Sequence, residues 1–265
     1  MEPRRHTLSV CVITLNEVDR LGRCLDSVRS IADEIIVFDS GSTDGTIDLA
    51  RRYTDKIWVT DWPGYGAQKQ RAMECATMEW VLILDADEAL DATLRESIRT
   101  LLMQPEIPEV GFKLRWAVIR HGKRLRFGRS ARAPLRLVRR AGAYFSPDLV
   151  HEKLHHPDGQ IRVLTGHLLH YTARDYGHAL SKNATYAWLG SQKYFNQGKR
   201  NRSMALVVLR SIWTFFLIYV LRGGFLDGRI GFIVAANYAH GNFNKHAGLW
   251  ILSREERSRR QQGKH

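Results

Sequence analysis

The sequence is poor in cysteine and has no hydrophobic segment near its amino terminus. Only three of its 265 residues are cysteines, at positions 11, 24 and 75, and their spacing shows no pairing. Such cysteines are typical of small buried side chains in a reducing compartment. Residues 1–7 form a short, charged segment without the apolar core of a signal peptide. Together these absences predict a cytoplasmic protein.

Acidic residues are missing from one long basic segment. Residues 110–147 include eleven Lys and Arg but no Asp or Glu, and the chain has a formal net charge of +13. Nucleic acid is the generic partner of so basic a protein. Because no helix-turn-helix, zinc-finger or RNA-binding aromatic motif is present, we predict no nucleic-acid partner. We expect part of the segment to face anionic lipid headgroups or ligand phosphates, and the other cations to lie on solvated strand faces.

Predicted strands and helices alternate through the amino-terminal part of the chain. Apolar runs predict strands at residues 8–13, 34–38, 56–60 and 81–84. Between the first two strands, Leu21, Leu25 and Val28 recur at helical spacing. The pattern predicts an α/β fold with a doubly wound, mostly parallel sheet. Its ligands should bind at the carboxyl ends of the strands, where polar loops follow.

The strand at residues 81–84 is followed by Asp85-Ala86-Asp87-Glu88. Two aspartates separated by one residue can share a hard divalent cation, Mg²⁺ or Mn²⁺, and leave positions for diphosphate oxygens and water. The alternative is that Asp85 or Asp87 only caps a following turn.

The loops after the other strands offer groups that suit a nucleotide. Asp39 and the loop Thr14 to Glu17 can accept hydrogen bonds from a base or ribose, and Gly41 permits a close backbone approach. Asp44 can fix its turn, or serve only as a helix cap. A short helix after Gly64 and Gly66 carries Gln68 and Lys69. Its amino end and Lys69 can face a diphosphate, unless Lys69 is an ordinary surface residue.

These motifs resemble those of a known enzyme family. Thr14-x-Asn16-Glu17, Asp39-Ser40-Gly41-Ser42-Thr43-Asp44-Gly45-Thr46, Gly64-Tyr65-Gly66-Ala67-Gln68-Lys69 and Asp85-Ala86-Asp87-Glu88 are similar, in order and spacing, to the nucleotide-sugar motifs of glycosyltransferase family 2. Val150-His151-Glu152 and Gly223-Gly224-Phe225-Leu226-Asp227-Gly228 resemble a narrower subgroup, the bacterial lipopolysaccharide inner-core β-glucosyltransferases that act on heptose. The resemblance extends over about residues 7–250.

The resemblance implies a GT-A type fold and a metal-dependent, inverting hexosyl transfer. The implied donor is UDP-glucose, and the acceptor is a heptose of the lipopolysaccharide core or another lipid-linked oligosaccharide. Asp87, assisted by Asp85, would hold the cation. The implied nucleotide-sugar residues are Thr14, Asn16, Glu17, Asp39, Gly41, Ser42, Asp44, Gln68, Lys69 and Asp85. A polyprenyl phosphate acceptor and a non-catalytic basic binding module remain as alternatives.

The general base is less well defined by the motifs. Many family members have a Glu-Asp pair where this chain has Val150-His151-Glu152, so Glu152 is the first candidate, with Asp148 and His151 also considered. Residues 151–155 also match the zinc-protease pattern H-E-x-x-H. Pro147 and Pro157 leave room for only a short helix there, and the downstream third ligand is missing. We therefore do not predict a zinc protease.

The carboxy-terminal third contains a segment suited to a membrane surface. Met204–Leu221 is largely apolar, but Arg210 near its middle argues against a span because a central arginine costs about 2.5–3.5 kcal/mol. Aromatic residues and flanking cations favour a helix lying in the interface, with a second apolar helix at residues 229–238. A buried core helix and a span are the alternatives.

We predict a GT-A catalytic domain at residues 1–198 and a helical, basic, amphipathic membrane-associating region at residues 199–265. The protein would be peripheral to the cytoplasmic face of a bacterial inner membrane.

Overall fold

The computed structural model describes residues 6–128, 132–146, 153–156, 159–201 and 203–262. The chain forms two compact units. The first comprises Met1–Ala117 and Arg132–Tyr171, and the second comprises Val118–Ala131 and Thr172–His265. The chain therefore leaves the first unit once and returns to it before entering the second unit again.

The secondary-structure elements follow the predicted alternation. The strands are β1 Leu8–Thr14, β2 Glu34–Asp39, β3 Ile57–Val59, β4 Trp80–Asp85, β5 Glu88–Leu90, β6 Gly111–Lys113, β7 Trp116–Arg120, β8 Lys123–Leu125, β9 Leu135–Arg139, β10 Tyr144–Phe145, β11 Leu154–His155, β12 Ile161–Val163 and β13 Leu168–Tyr171. The helices are α1 Val18–Val28, α2 Thr46–Ala50, α3 Tyr65–Glu74, α4 Ala92–Leu102, α5 Tyr176–Asn196, α6 Met204–Phe216 and α7 Gly228–Gln262.

The first unit is built on a seven-stranded mixed sheet with the order β12-β6-β9-β4-β1-β2-β3. Strands β4, β1, β2 and β3 are parallel, and β9 runs antiparallel to both of its neighbours. All seven residues of β1 are buried. Leu8, Val10 and Val12 join one core cluster, while Cys11 and Ile13 pack in a second cluster on the other face. A sheet covered on both faces explains why these strands are continuous apolar runs.

The prediction of a mostly parallel α/β sheet is confirmed, and each predicted strand differs from the observed one by one or two residues at its ends. The zinc-protease pattern is not on a helix in the described residues. Leu154 and His155 lie in β11, which pairs antiparallel with β10. A strand turns alternate side chains to opposite faces, so it does not supply the one-sided ligand pair of that pattern.

The second unit is mainly helical. A π-helical turn at Leu217–Leu221 continues α6, and a 3-10 turn at Gly224–Asp227 leads into α7. Close packing requires glycine at several positions, of which Gly231 and Gly241 are the tightest. A Cβ at Gly231 would lie 1.9 Å from the Gly224 carbonyl oxygen, and one at Gly241 would lie 2.0 Å from Asn183 Oδ1. Helix α7 has 35 residues, so it is much longer than the helix predicted at residues 229–238.

The carboxylate of Asp227 holds part of the second unit together. It is buried, and it accepts hydrogen bonds from the backbone N–H groups of Arg126 and Phe127, each at 3.1 Å. The Asp227 carbonyl also accepts a hydrogen bond from Lys123 Nζ at 2.5 Å. The Gly223 to Gly228 motif therefore fixes the segment that follows β8.

Helix α6 and its π-helical turn leave much of their apolar surface exposed. Within the described residues, Met204–Leu221 is the one helix long and apolar enough to cross a membrane, with a mean hydropathy of 2.1 and only 11% of it buried. Leu209, Ile212 and Trp213 are each more than half exposed. This exposure contradicts the alternative of a buried core helix. The predicted division of function at residue 198 remains a prediction.

Candidate active site

The turn after β4 holds a buried network of charges. Asp85 Oδ1 is 2.8 Å from Lys69 Nζ, and Asp85 Oδ2 is 2.8 Å from a guanidinium nitrogen of Arg136. The same nitrogen lies 2.7 Å from Glu88 Oε1. Lys69, Glu88 and Arg136 are all buried. Two carboxylates therefore share one guanidinium, and Lys69 compensates the charge of the first.

The pKa values in this network follow from burial and from the nearby cations. Burial alone would raise the pKa of Asp85, but Lys69 and Arg136 outweigh it and hold that pKa far below its ordinary value. Burial raises the pKa of Glu88 despite the contact with Arg136. Glu88 also accepts hydrogen bonds from Trp116 Nε1 at 2.8 Å and from the Asp85 amide at 3.0 Å. Glu88 thus orients the acidic turn and remains inside the network.

Asp87 has looser contacts than Asp85. Its Oδ2 atom lies 3.6 Å from both Arg20 NH1 and His170 Nε2. Burial raises the pKa of Asp87, but the interaction with His170 and the charge of Arg20 bring it below its ordinary value, so the carboxylate is ionised. The capping alternative does not fit Asp85 or Asp87, because helix α4 is capped by Asp91, which accepts a hydrogen bond from the Leu94 amide at 2.7 Å.

Asp87 and His170 are suited to hold a divalent cation. Neighbouring ligand atoms of an octahedral cation lie about 3.0 Å apart, so the 3.6 Å between Asp87 Oδ2 and His170 Nε2 would have to shorten slightly when the cation binds. In the part of the chain that the structure describes, no group of three or more His, Cys, Asp and Glu side chains is arranged to enclose a metal. Few protein ligands, with substrate oxygens and water completing the shell, are typical of Mg²⁺ bound beside phosphates. The side chains present therefore fit the predicted cation.

The loops after β1 and β2 are tied to each other. Asp39 is fully buried, and its carboxylate accepts hydrogen bonds from the amides of Gly41 at 2.9 Å and Ser42 at 2.6 Å, and from the Ser42 hydroxyl at 2.5 Å. Ser42 Oγ in turn accepts a hydrogen bond from the Asn16 amide at 2.7 Å, and Asn16 Oδ1 accepts one from Thr43. Asn16 has a positive φ of 54°, a conformation that asparagine tolerates. These contacts fix both loops before any ligand binds.

Asp44 and Glu17 have local contacts in this structure. Asp44 accepts a hydrogen bond from the Thr46 amide, two residues further along, at 3.1 Å and one from the Val18 amide at 3.3 Å. Glu17 forms an ion pair with Arg20 at 2.5 Å. The contact with Thr46 is the turn-fixing bond predicted for Asp44, and the N-cap position of α2 is occupied by Gly45.

Gln68, Lys69 and Thr14 are buried at the same edge of the sheet. Gln68 Nε2 donates hydrogen bonds to Ser40 Oγ at 3.1 Å and to Thr60 Oγ1 at 2.8 Å. Lys69 is only 3% exposed, so the alternative of an ordinary surface lysine is wrong. The Thr14 hydroxyl is buried and has no hydrogen-bond partner among the described residues.

Strand register brings these groups together. Thr14 pairs with Asp39 in the β1–β2 ladder, and Ile13 pairs with Asp85 in the β1–β4 ladder. The carboxyl ends of three parallel strands therefore carry Thr14, Asp39 and Asp85 side by side. Glu152, Asp148 and His151 lie outside the described residues, so the structure gives no position for the predicted base.

Four residues of the site were not predicted to belong to it: Arg20, Trp116, Arg136 and His170. Arg136 belongs to the basic segment, part of which was predicted to lie on solvated strand faces. That prediction does not hold for Arg136, which is buried, as is Leu137 beside it, while Leu135 is half-buried. The signal that could have identified Arg136 is its charge within an otherwise apolar part of the strand, because a buried charge needs a buried partner. The sequence around His170 gives no signal of a site.

A mixed, mostly parallel α/β sheet with acidic groups beyond its central strands defines a GT-A-like fold. The family model for glycosyl transferase family 2 matches residues 9–110. The lipopolysaccharide core biosynthesis glycosyltransferase LpsC of Rhizobium meliloti is 36% identical over 240 residues, which cover 86% of each chain. An uncharacterized glycosyltransferase of Rickettsia typhi is 28% identical over 261 residues, covering 95% of this chain and 89% of the relative. The chain belongs to glycosyltransferase family 2.

Solved structures give a weaker likeness. Residues 1–349 of TarS from S. aureus match with 15% identity and a TM-score of 0.46, over 96% of this chain and 91% of that one. Glucosyl-3-phosphoglycerate synthase from Mycobacterium tuberculosis, in complex with Mn²⁺ and UDP-glucose, matches with 26% identity and a TM-score of 0.35. This second match covers 41% of this chain and 43% of that one. Neither TM-score adds to the family assignment.

Proposed function

We propose that the protein transfers glucose from UDP-glucose, with inversion, onto a heptose of the lipopolysaccharide inner core. The observation that carries the proposal is the row of Thr14, Asp39 and Asp85 at the ends of neighbouring parallel strands, with Asp87 beside it. Ligands of open α/β sheets bind at such an edge. The choice of acceptor is supported by the similarity to a lipopolysaccharide core glycosyltransferase over 86% of the chain.

The donor would lie across the loops after β1, β2 and β4. Asp39, together with the loop of Thr14, Asn16 and Glu17, would receive the base and ribose, and Gly41 and Ser42 would line their path. The other proposed donor contacts come from Asp44, Gln68, Lys69 and Asp85. Because Asp85 is already held between Lys69 and Arg136, it needs little rearrangement to orient a ribose hydroxyl.

The leaving diphosphate needs charge compensation. A Mg²⁺ or Mn²⁺ ion held by Asp87, with His170 and Asp85 beside it, supplies this when bound. Arg20, 3.6 Å from Asp87, contributes positive charge to the same region. Fixed cations stabilise developing negative charge without reorganisation during the reaction.

Inversion requires a single displacement at the anomeric carbon. The acceptor hydroxyl oxygen forms a bond to C1 of the hexose while the bond from C1 to the diphosphate oxygen breaks, and UDP departs with that electron pair. The hydroxyl proton passes to a base. We propose Glu152 as this base, with Asp148 and His151 as the other candidates.

A lipid-borne acceptor requires the enzyme to work at a membrane. We propose that the exposed apolar side of α6 lies in the cytoplasmic face of a bacterial inner membrane, where the protein is peripheral. Trp213 and Phe216, at 56% and 42% exposure, are the kind of side chain favoured at the headgroup boundary. Residues 1–198 would carry the catalytic function, and residues 199–265 the membrane contact.

Two measurements test this function. Calorimetric titration with UDP should give a signal that depends on Mn²⁺ or Mg²⁺, and a panel of radiolabelled UDP- and GDP-sugars should label heptose-containing truncated lipopolysaccharide only from UDP-glucose. Absence of any UDP signal would favour a non-catalytic basic binding module. Transfer to polyprenyl phosphate in place of the lipopolysaccharide would show that the acceptor is wrong.

A further inference from the structure

A cavity in the second unit has no part in the proposed transfer reaction. It has a volume of about 710 Å³ and lies among α5, the start of α6 and the middle of α7. Its lining includes Tyr194, Lys199, Asn201, Leu206, Arg210 and His246. Cations, hydrogen-bonding groups and an apolar side chain therefore meet in one space.

Two cations of this cavity, Lys199 and Arg210, form no ion pair with any carboxylate of the described residues. Lys199 Nζ lies 4.3 Å from the centre of the Tyr194 ring, and Arg210 NH1 is 3.4 Å from His246 Nδ1. Arg200, which also lines the cavity, differs because its charge is compensated by Glu256 at 2.5 Å. The cavity thus keeps two positive charges that an anion can compensate.

His246 reflects the positive potential around it. Burial and the charges of Lys245 and Arg210 lower the pKa of its imidazole to about 4, so it is neutral near pH 7. Helix α6 begins at the same cavity, with Ser203 as its cap, and the amino end of a helix adds partial positive charge. Both features favour an anion over a cation as the occupant.

The cavity is continuous with the exposed apolar side of α6, because Leu206 belongs to both. A stripe on this helix and its π-helical turn consists of Leu206, Leu209, Trp213, Phe216 and Val220, which are 42% to 59% exposed. Their spacing of three and four residues puts them on one side of the helix. An anion with an attached apolar chain would satisfy the cavity and the stripe together.

We propose that this cavity binds the phosphate of an anionic membrane phospholipid, with the acyl chains lying along the α6 stripe. The inference rests on the proposed membrane association and adds a specific headgroup site to it, separate from the basic segment at residues 110–147. It also gives Arg210 a role, since its guanidinium presents a planar set of donors that matches phosphate oxygens. An arginine within an otherwise apolar helix is thereby explained.

Flotation with vesicles tests this site. One set contains phosphatidylcholine alone, and the other contains phosphatidylcholine with phosphatidylglycerol. The variant R210Q with K199Q should bind the phosphatidylglycerol vesicles about 10- to 30-fold less tightly than the parent, as expected for the loss of two cations at the surface. Its binding to pure phosphatidylcholine and its affinity for UDP should not change.

Matched variants separate a defined site from general surface charge. K199R keeps the charge and should retain binding, whereas R210K keeps the charge but loses the planar set of donors, so it should bind more weakly than the parent and more tightly than R210Q. K182Q with R229Q removes the same charge from exposed positions on α5 and α7 that do not line the cavity, and it should change binding by less than about threefold. If this second pair weakens binding as much as the cavity pair does, the phosphate site is wrong.

Further outcomes distinguish the lipid from other occupants and from failure of membrane association. Displacement from vesicles by inorganic phosphate, but not by chloride at equal ionic strength, would identify a free-phosphate site and overturn the lipid assignment. If the parent binds neither vesicle type, the membrane association itself is wrong. If the parent and R210Q with K199Q bind both vesicle types equally, only the cavity proposal fails.

Discussion

The two compact units place charged and apolar side chains in opposite ways. In the first unit, Lys69, Glu88 and Arg136 are buried and paired. In the second unit, Leu209 and Trp213 are more than half exposed on α6. Ordinary soluble domains rarely expose a contiguous apolar surface of this kind without a function.

This difference indicates what each unit requires from its surroundings. The first unit has already desolvated and oriented its charges, so a charged ligand meets fixed partners and little reorganisation is needed. The second unit gains free energy only when an apolar medium or partner covers α6. The first unit is thus prepared for a polar substrate, and the second for an apolar cover, which we propose to be a membrane surface.

The largest effect is expected from removing the carboxylate of Asp87, which tests whether the first unit is prepared for a charged ligand. We expect Asp87→Ala to lower kcat/KM for transfer by at least about 10³-fold, because the proposed cation would lose its main protein ligand. The melting temperature should stay close to that of the parent. Asp48→Ala, an exposed aspartate on α2, is the matched control and should leave transfer unchanged. Full activity of Asp87→Ala in the presence of chelator would contradict the metal assignment.

The second test concerns the proposed base. Glu152→Gln keeps the shape of the side chain but removes its ability to accept a proton, so we expect kcat to fall about 10²–10⁴-fold with donor affinity little changed. Steady-state kinetics together with calorimetric UDP binding measures both quantities. Asp148→Asn is the comparison: if it shows this signature and Glu152→Gln does not, Asp148 is the base.

Arg136 tests whether buried pairing stabilises the first unit. Arg136→Gln would leave Asp85 and Glu88 with a buried, uncompensated charge, and we expect it to lower the free energy of unfolding by about 3–5 kcal/mol. Urea unfolding followed by circular dichroism measures this. Arg132→Gln, an exposed change in the segment leading into the same strand, should cost no more than about 0.5 kcal/mol. Equal stability of the two variants would show that the network contributes little.

The exposed side of α6 gives the corresponding test in the second unit. Leu209→Glu with Trp213→Glu should weaken vesicle binding by about 10²-fold or more at low salt, because two apolar side chains lose their burial in lipid. High salt should weaken the parent without releasing it, since salt screens only the electrostatic part. Hydrolysis of the free sugar nucleotide should be affected less than transfer to a lipid-borne acceptor.

Phe215 is the control within the same helix. Its ring packs against Phe232 at 5.5 Å and Tyr219 at 5.2 Å, so Phe215→Glu should destabilise the fold. Phe216 is 42% exposed, and it belongs to the α6 stripe that we propose faces the membrane. If Leu209→Glu with Trp213→Glu still co-sediments with vesicles like the parent, α6 is not the anchor.

The smallest expected effect concerns acid stability. Glu34 is buried among Lys56, Ser9 and Thr77; burial raises its pKa, but their hydrogen bonds outweigh this and lower the pKa from 4.5 to about 2. A lowered folded-state pKa gives stability that is present above the unfolded value and is lost as pH falls toward 2. Glu34→Gln should therefore make the melting temperature less dependent on pH between 4.5 and 2. An unchanged pH profile would contradict this role.

Local sequence patterns were sufficient to predict the first strands and the position of the acidic turn. The apolar runs that became β1, β2 and β4 are local, and their polar ends meet because parallel strands share one edge. Arg136 could not be assigned in the same way. Its contact with Asp85 spans 51 residues and exists only because β9 docks antiparallel to β4.

Helix α7 shows a second reason for an incomplete prediction. The apolar pattern weakens after Tyr238, where polar residues such as Asn242 follow. In the structure Asn242 Nδ2 donates to the Thr214 hydroxyl and to the Arg210 carbonyl of α6, so the neighbouring helix accepts the hydrogen bonds of its NH2 group. A polar residue that finds its partner on another helix leaves no signal in its own segment.

The hydrogen bonds from Arg126 and Phe127 to Asp227 join two distant parts of the gene in one folding unit. A shortened polypeptide ending at residue 171 or 198 would keep Arg126 and Phe127 but lose the carboxylate that accepts their hydrogen bonds. No single truncation therefore yields the first unit alone and intact. Separating the two units by recombination would require excising this internal segment of the first half of the gene as well as its 3′ part.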